Sequence, residues 1–505
     1  LALMAGLLIG ACSFDSGTPP ATTVGRPVDD GPAITTTTVT TTPTTTTTRP
    51  PRHCRPQPTD APTDLPTDPG AVSLAVSRAT FPCADTVVVA LSGTRAAGPA
   101  AAYAAAEGIP LLLVSAGPTA DLQAEISRLD PHTVVVTAGV RAEWFPSRSV
   151  EPIPAGPGAI ADTVPAPDPA RIWLISGEAA AGWPAVWAAA SASGEAAALV
   201  PPGGLLDSGD ETAALLGESE GAVLAAIGLD DQAAWHVALL RSGAELPGGG
   251  WEVFPDRRLV AFYGNPLTPL LGVLGEQGAE ATVDRILPFA EQYAADGIPT
   301  VPAFEIIATV ASAVAGADGD YSEETDLEVI RPWVEAAATR DTYVILDLQP
   351  GRTDFLTQAR IYEELLLEPH VGLALDPEWR LKPNQVHLRQ IGTVDAAEIN
   401  EVVDWLAALV RDNGLPQKLL LLHQFNLNMI TNRDQVALPP ELAVAIQMDG
   451  DGSPGAKQAT WEVLTEFDEH RFWWGWKNFF DEDEPMPEPD FVLGQQPTIY
   501  LVSFQ

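Results

Sequence analysis

Eight short apolar runs, each followed by a polar residue, recur between residues 258 and 505 and constrain this chain more than any other feature. They fall at 259–264, 300–305, 342–347, 371–376, 418–423, 442–447, 471–476 and 498–502. Continuous apolar runs this short read as strands covered on both faces, which is the mark of a parallel sheet. Parallel neighbours need long crossovers, and amphipathic stretches lie between most of the runs. Val283, Ile286, Leu287 and Ala290 share one helical face, as do Ile399, Val402, Val403 and Leu406. Eight such units in about 250 residues match the size and order of a (β/α)8 barrel. Residues 479–493 are too rich in proline and acid to predict a helix after the seventh strand.

In such barrels the reactive groups project from the carboxyl ends of the strands. Here those ends carry Glu305, Asp347 with Gln349, Asp376 with Glu378, His423 with Gln424, Gln447 with Asp449, and Lys477 with Asp481. Asp376-Pro377-Glu378-Trp379 is the sharpest signal. Residues i and i+2 of a strand point to one side, roughly 6.5–7 Å apart. Glycosidases place carboxyl pairs about 5–5.5 Å apart for retention and about 6.5–9.5 Å apart for inversion. Asp376 and Glu378 are therefore expected to form an acid/base pair, with Asp347 and Glu305 in support. Trp379, Tyr263 and Trp476 offer ring faces, and His423, Gln424 and Asp449 offer polar contacts to a substrate. The plainer alternative is a structural rim, with a carboxylate capping the next helix or pairing with Arg380 or Lys382. Trp473, Trp474 and Trp476 alternate across one strand, so some of them must pack in the core. The Asp-x-Glu strand end resembles the active-site strand of some glycoside hydrolases, wall lysozymes included. Asp449-Gly450-Asp451-Gly452-Ser453 resembles part of a calcium loop but lacks the later acidic ligand. No metal and no cofactor is expected.

The preceding stretch repeats a simpler pattern. Apolar runs at 87–91, 111–114 and 133–136 return at 172–177, 198–200 and 223–228. Alanine-rich segments separate them, which predicts two Rossmann-like parallel-sheet units, 71–150 and 151–256. Ser77-Arg78-Ala79-Thr80-Phe81-Pro82, Ser92-Gly93, the run 108–113 and Val134-Val135-Val136 resemble the cell-wall-binding repeat 2 family. That resemblance implies repeats that hold a protein to cell-wall polymer. The chain departs from the family at Ala96-Ala97-Gly98-Pro99, where an Asp-Ala-Leu segment is usual, and in showing two copies where three are usual. Ser92-Gly93-Thr94 lacks the full glycine fingerprint of a phosphate loop and reads as a tight turn.

The beginning of the chain bears on location. Residues 1–12 form an apolar run with small residues before a cysteine, the layout of a secretory signal. Ile9-Gly10-Ala11-Cys12 resembles the lipobox of bacterial lipoproteins. It implies a lipid on Cys12 and a tether to the outer face of the cytoplasmic membrane. No run approaches the roughly 20 apolar residues of a span. Residues 13–70 are dominated by Thr, Pro, Asp and Gly and bury too little surface to offset the entropy of ordering, so a stalk is expected. Of three cysteines, Cys54 and Cys83 then remain as a disulfide pair in an oxidising compartment. A net charge of −40 excludes nucleic acid as a partner. The sequence thus describes a monomeric, lipid-anchored protein whose α/β part binds envelope polymer and whose barrel, 257–505, hydrolyses a glycan. The alternative is a non-catalytic wall-binding or scaffold lipoprotein.

Overall fold

The computed structural model describes residues 54–57, 59, 66–154, 159–219, 221–466 and 470–505. Cys12 with its lipobox, and most of the expected stalk, lie outside the described residues. The helix Pro69–Thr80 starts on Asp68, whose carboxylate accepts from the Ala71 N–H. Its first two residues, Pro69 and Gly70, fall within the span expected of the stalk. Cys54 and Cys83 are joined as a disulfide with their Cα atoms 5.4 Å apart. Among the described residues no helix is long and apolar enough to cross a membrane.

Two four-stranded sheets precede the barrel. The first runs Leu111–Val114, Thr86–Leu91, Thr133–Val136, Ser149–Pro152, all parallel. In the second, Ala196–Val200, Arg171–Ser176 and Val223–Ile227 are parallel, and Thr163–Val164 pairs antiparallel at one edge. The helices Ala97–Glu107 and Trp183–Ser193 join the units by burying Ala100, Ala101 and Ala104 against Ala185 and Ala188. Side chains this small let the two backbones approach closely. The second unit meets the foot of the barrel through the Trp235 indole, which donates to the Leu415 carbonyl at 2.8 Å.

The barrel strands are Arg258–Gly264, Thr300–Ala311, Tyr343–Leu348, Val371–Leu375, Lys418–Gln424, Leu442–Met448, Trp473–Asn478 and Ile499–Phe504. Each pairs in parallel with the next, and the eighth pairs back onto the first, so the sheet closes on itself. The expected α/β architecture holds: parallel-sheet units followed by an eight-stranded TIM-like barrel. Strand periodicity then sorts every side chain. Val260, Phe262, Phe304 and Leu346 face outward onto helix residues such as Ile286, Ile399 and Val403. Leu259, Ala261, Val301, Ala303, Ile345, Leu419, Leu421, Ala443 and Ala445 fill the lower interior. Two residues further along each strand, the inward position turns polar.

Two local expectations are corrected. In the helix Ala279–Gln292, Val283, Ile286 and Ala290 are buried, but Leu287 is turned toward solvent, 42% exposed. A short helix, Pro489–Leu493, does form after the seventh strand. Pro489 occupies its first turn, where a missing N–H leaves no bond unmade.

Candidate active site

The upper inward layer takes one polar side chain from each barrel strand or its end: Tyr263, Glu305, Asp347, Asp376, His423, Gln447, Lys477 and Ser503. All are buried. Burial of so many polar groups is costly unless they satisfy one another; they do so in part, in chains, while Glu305 Oε2, Asp347 Oδ1, Asp376 Oδ1 and Gln447 Oε1 have no hydrogen-bond partner. The Tyr263 hydroxyl donates to Asp347 Oδ2 at 2.8 Å and receives Gln349 Nε2 at 3.2 Å. Gln349 Nε2 also lies 3.4 Å from Asp376 Oδ2. His423 is held from both sides, Nε2 at 2.8 Å from Glu305 Oε1 and Nδ1 at 2.8 Å from Asp449 Oδ2. The second oxygen of Asp449 lies 3.1 Å from Lys477 Nζ, and that ammonium sits 3.6 Å above the Tyr263 ring. Gly475 makes room for this layer. A Cβ there would fall 1.9 Å from Gln447 Oε1, the side chain whose amide donates to Ser503 at 2.7 Å.

The carboxyl groups are not equivalent. Burial pushes Glu378 up to about 8, and the neighbouring charge of Asp449 adds to it. Burial, then the charges of Glu378 and Asp347, holds Asp376 well above the carboxylate range. Asp376 Oδ1 and Glu378 Oε2 are buried without a hydrogen-bond partner. Burial also lifts Asp347 to about 6. Asp449 goes the other way: burial would raise it, but Lys477 and His423 outweigh burial and hold it below its ordinary value. His423 is raised well above a free imidazole, because Asp449 and Glu305 overcome burial. The layer therefore sets an Asp449 that favours its ionised form, between His423 and Lys477, beside two carboxyls that burial holds toward their protonated forms.

Above this layer opens a cleft of about 400 Å³. Tyr263, Gln349, Asp376, Glu378, Asp449 and Lys477 form its polar floor, with Trp379, Phe425 and Phe479 at the walls. Of the residues singled out from sequence, Asp376, Glu378, Trp379, Tyr263 and Asp449 thus come together at one opening. Glu305, Asp347 and His423 lie beneath them and touch the cleft only through partners.

Two expectations fail. Trp476 does not offer a ring face to the cleft; its indole is fully buried outside the sheet against Trp461 and Phe491, with Nε1 on Asn478. Gln424, one residue past His423, necessarily points the opposite way, and its Oε1 accepts from Arg433 at 2.8 Å. Both follow from the strand's two-residue period. Lys477 and Gln349 were visible as polar strand ends, yet sequence reasoning gave them no role. Phe425 and Phe479 lie just beyond strands and carried no signal.

Asp376, His423 and Asp449 offer ligand atoms all within 4.8 Å of one another. Such a set could hold a cation in principle. Here both imidazole nitrogens already face carboxylates and Lys477 supplies positive charge to Asp449. The donor set does not favour a metal ion.

No protein-family model matches the chain. No curated protein matches it either. Among solved structures, Thermotoga maritima Cel5A in complex with cellobiose is similar at 9% identity and TM-score 0.26, over 50% of this chain and 88% of the other. A GH18 chitinase from Pseudoalteromonas aurantia is similar at 11% identity and TM-score 0.21, over 48% and 78%. Xanthomonas albilineans dihydropteroate synthase follows at 15% identity and TM-score 0.22, over 49% and 88%. Likenesses this remote add nothing to the barrel assignment, which stands on the strand pairing itself.

Proposed function

We propose that the barrel hydrolyses a glycosidic bond. One observation carries this reading: the cleft holds carboxyl groups whose proton affinities are driven apart, Asp376 and Glu378 upward and Asp449 downward. Environments that separate two carboxyls in this way assign the acid and the nucleophile. An oxygen of Asp376 lies within 4.8 Å of one of Asp449, which brings these carboxyls to one reacting centre. Glu378, partly exposed at the cleft, delivers its proton to the leaving glycosidic oxygen as that bond breaks. Asp449 attacks the anomeric carbon and forms a glycosyl ester. Water then cleaves the ester, its proton returns to the Asp376–Glu378 pair, and Asp449 leaves as carboxylate. Lys477 and His423 keep Asp449 ionised, while Trp379 gives the sugar ring an apolar face.

This reading departs from an acid/base split between Asp376 and Glu378, because burial raises both and leaves neither as the base. The remaining parts are proposals of the same standing. A lipid on Cys12 would tether the chain to the outer face of the cytoplasmic membrane, and the α/β part would hold envelope polymer near the barrel. A Cys12→Ala chain that still fractionates with membranes would refute the tether.

The activity test uses purified peptidoglycan, arabinogalactan and soluble glycans, with released reducing ends counted. Release that disappears in both Glu378→Gln and Asp449→Asn, with products of retained anomeric configuration, is the expected result. Unchanged release in either variant would overturn the assignment. Binding to walls without turnover by the native chain would favour a non-catalytic wall-binding lipoprotein.

A further inference from the structure

We infer that Lys457 is a positioning residue for the barrel's reaction. Its buried ammonium, together with Asp483, bridges the ends of the sixth and seventh strands and so sets Asp449 against Lys477. The inference rests on the reading of Asp449 as nucleophile.

The sheet itself does not join this pair. Pairing between the sixth and seventh strands runs as far as Met448 and Trp476, one residue short of Asp449 and Lys477. The backbone of each is held from its far side instead. The Asp449 N–H donates to the Gln424 carbonyl at 3.2 Å on the fifth strand, and Lys477 pairs with Ser503 on the eighth. Yet the two side chains meet at 3.1 Å. With no ladder bond between them, another group must fix the gap.

Lys457 does so from the helix Pro454–Thr465 that follows the sixth strand. Its side chain has no exposed surface. The ammonium donates to the Gly450 carbonyl at 2.9 Å, to the Lys477 carbonyl at 2.7 Å and to Asp483 Oδ2 at 2.8 Å, with Oδ1 at 3.2 Å. Three donors thus find three partners. Asp483 extends the bridge, accepting the Gly452 N–H at Oδ1 and the Phe479 N–H at Oδ2, both at 2.9 Å. Together the two side chains fasten the loop just after Asp449 to Lys477 and Phe479. Asp449, Gly450, Lys477 and Phe479 all line the cleft.

The bridge also accounts for a motif in the sequence. Asp449-Gly450-Asp451-Gly452-Ser453 resembles part of a calcium loop, in which carboxylate and carbonyl oxygens gather on a cation. Here such oxygens gather on an ammonium, with the Phe479 and Trp476 rings 5.1 and 5.5 Å from it. Lys457 and Asp483 have every polar atom bonded, whereas Asp376 Oδ1 and Glu378 Oε2 in the cleft floor do not. A fully satisfied buried network is rigid, so a rigid frame backs the reactive groups. Displacing a reacting group by about 1 Å can cost on the order of 100-fold in rate, and the frame therefore acts on the chemistry as well as on the fold.

The test compares the native chain with Lys457→Met and with Lys457→Met combined with Asp483→Asn. Methionine keeps most of the stem and removes the donors. The double change also removes the orphaned carboxylate, and it carries the test if the single variant does not fold. Crystal structures read the geometry. Asp449 and Lys477 are expected to part beyond about 4 Å, out of ion-pair range; an unchanged 3.1 Å overturns the bridge. Kinetics reads the consequence. The value of kcat should fall about 10- to 100-fold with KM little changed. The acid limb of kcat/KM should move upward by about a unit, because Asp449 loses Lys477. A lower urea midpoint with kcat and the acid limb in place would make Lys457 a support of the fold alone and overturn the inference. A native chain that hydrolyses no glycan refutes the role of Asp449, while the crystallographic separation still decides whether Lys457 sets the pair.

Discussion

His423 Nε2 lies 2.8 Å from Glu305 Oε1, and neither side chain has any surface open to solvent. The two residues are 118 positions apart in the chain. Their contact crosses the barrel interior and anchors the upper polar layer to which Asp449 belongs.

That contact predicts a stability pattern. Replacing His423 by Gln leaves Glu305 without its cation and Asp449 with Lys477 alone, and removing one partner of a buried pair costs about 3–5 kcal/mol. Glu305→Gln with His423→Gln should cost clearly less than the sum of the single changes, because the orphaned charge disappears with its partner. Urea unfolding of the four chains measures this coupling. Additive costs would mean that the pair is not energetically linked.

Glu378 predicts a pH dependence whose sign is fixed by its direction of shift. Its folded value, about 8, stands above the ordinary 4.5, so the folded chain holds this proton where the unfolded chain has lost it. The stability it contributes is complete below about 4.5 and is lost as pH rises through about 8. The urea midpoint should fall across that window. Glu378→Gln should flatten the fall and leave the variant more stable than the native chain above about pH 8, although it hydrolyses nothing. A native midpoint that rises through this window would reverse the assignment.

Much of the barrel was legible because its signal is local. A buried parallel strand must be an apolar run, and the polar residue that ends it is visible beside it. What lies across the barrel is not local. Strand two continues as Ile306 and Ile307 beyond Glu305 to Ala311, so Glu305 sits deep in the layer although the sequence places it at a strand end. Asp376 and Glu378 were recognisable as a motif, but their raised proton affinity depends on burial that no spacing reveals. Asp449 and Lys477 belong to adjacent parts of the sheet, and only the closed register brings them together. For Trp476 and Gln424 the residue type suggested a sugar contact. The strand's alternation decided otherwise.

Trp379 and Trp476 give a paired prediction on this point. Trp379 lines the cleft and packs edge-on against His387 at 5.2 Å. Trp379→Ala should raise KM about tenfold, equivalent to about 1.4 kcal/mol, with the unfolding midpoint nearly unchanged. Trp476→Ala should do the opposite, costing about 3–5 kcal/mol through the cavity it leaves, with KM preserved in the folded fraction. Steady-state kinetics and urea titration on both variants check it; a KM effect from Trp476 would return that residue to the cleft.

Lys477 supports the most specific prediction about the chemistry. Its ammonium, 3.1 Å from Asp449, is one of two cations that hold that carboxyl below its ordinary 3.8. An opposite charge at this range shifts a carboxylate by about 1–3 pH units. In Lys477→Met the acid limb of kcat/KM should therefore move upward by about a unit or more, since Asp449 must be ionised to attack. The loss of rate should be greater at about pH 5 than at about pH 7, where Asp449 still ionises through His423. The basic limb, set by the Asp376–Glu378 pair, should move upward if at all, and only slightly, because Lys477 favours the ionised form of Glu378 only weakly against burial. An equal loss at every pH would show that Lys477 merely supports the fold, and Asp449 would then lose its place as nucleophile.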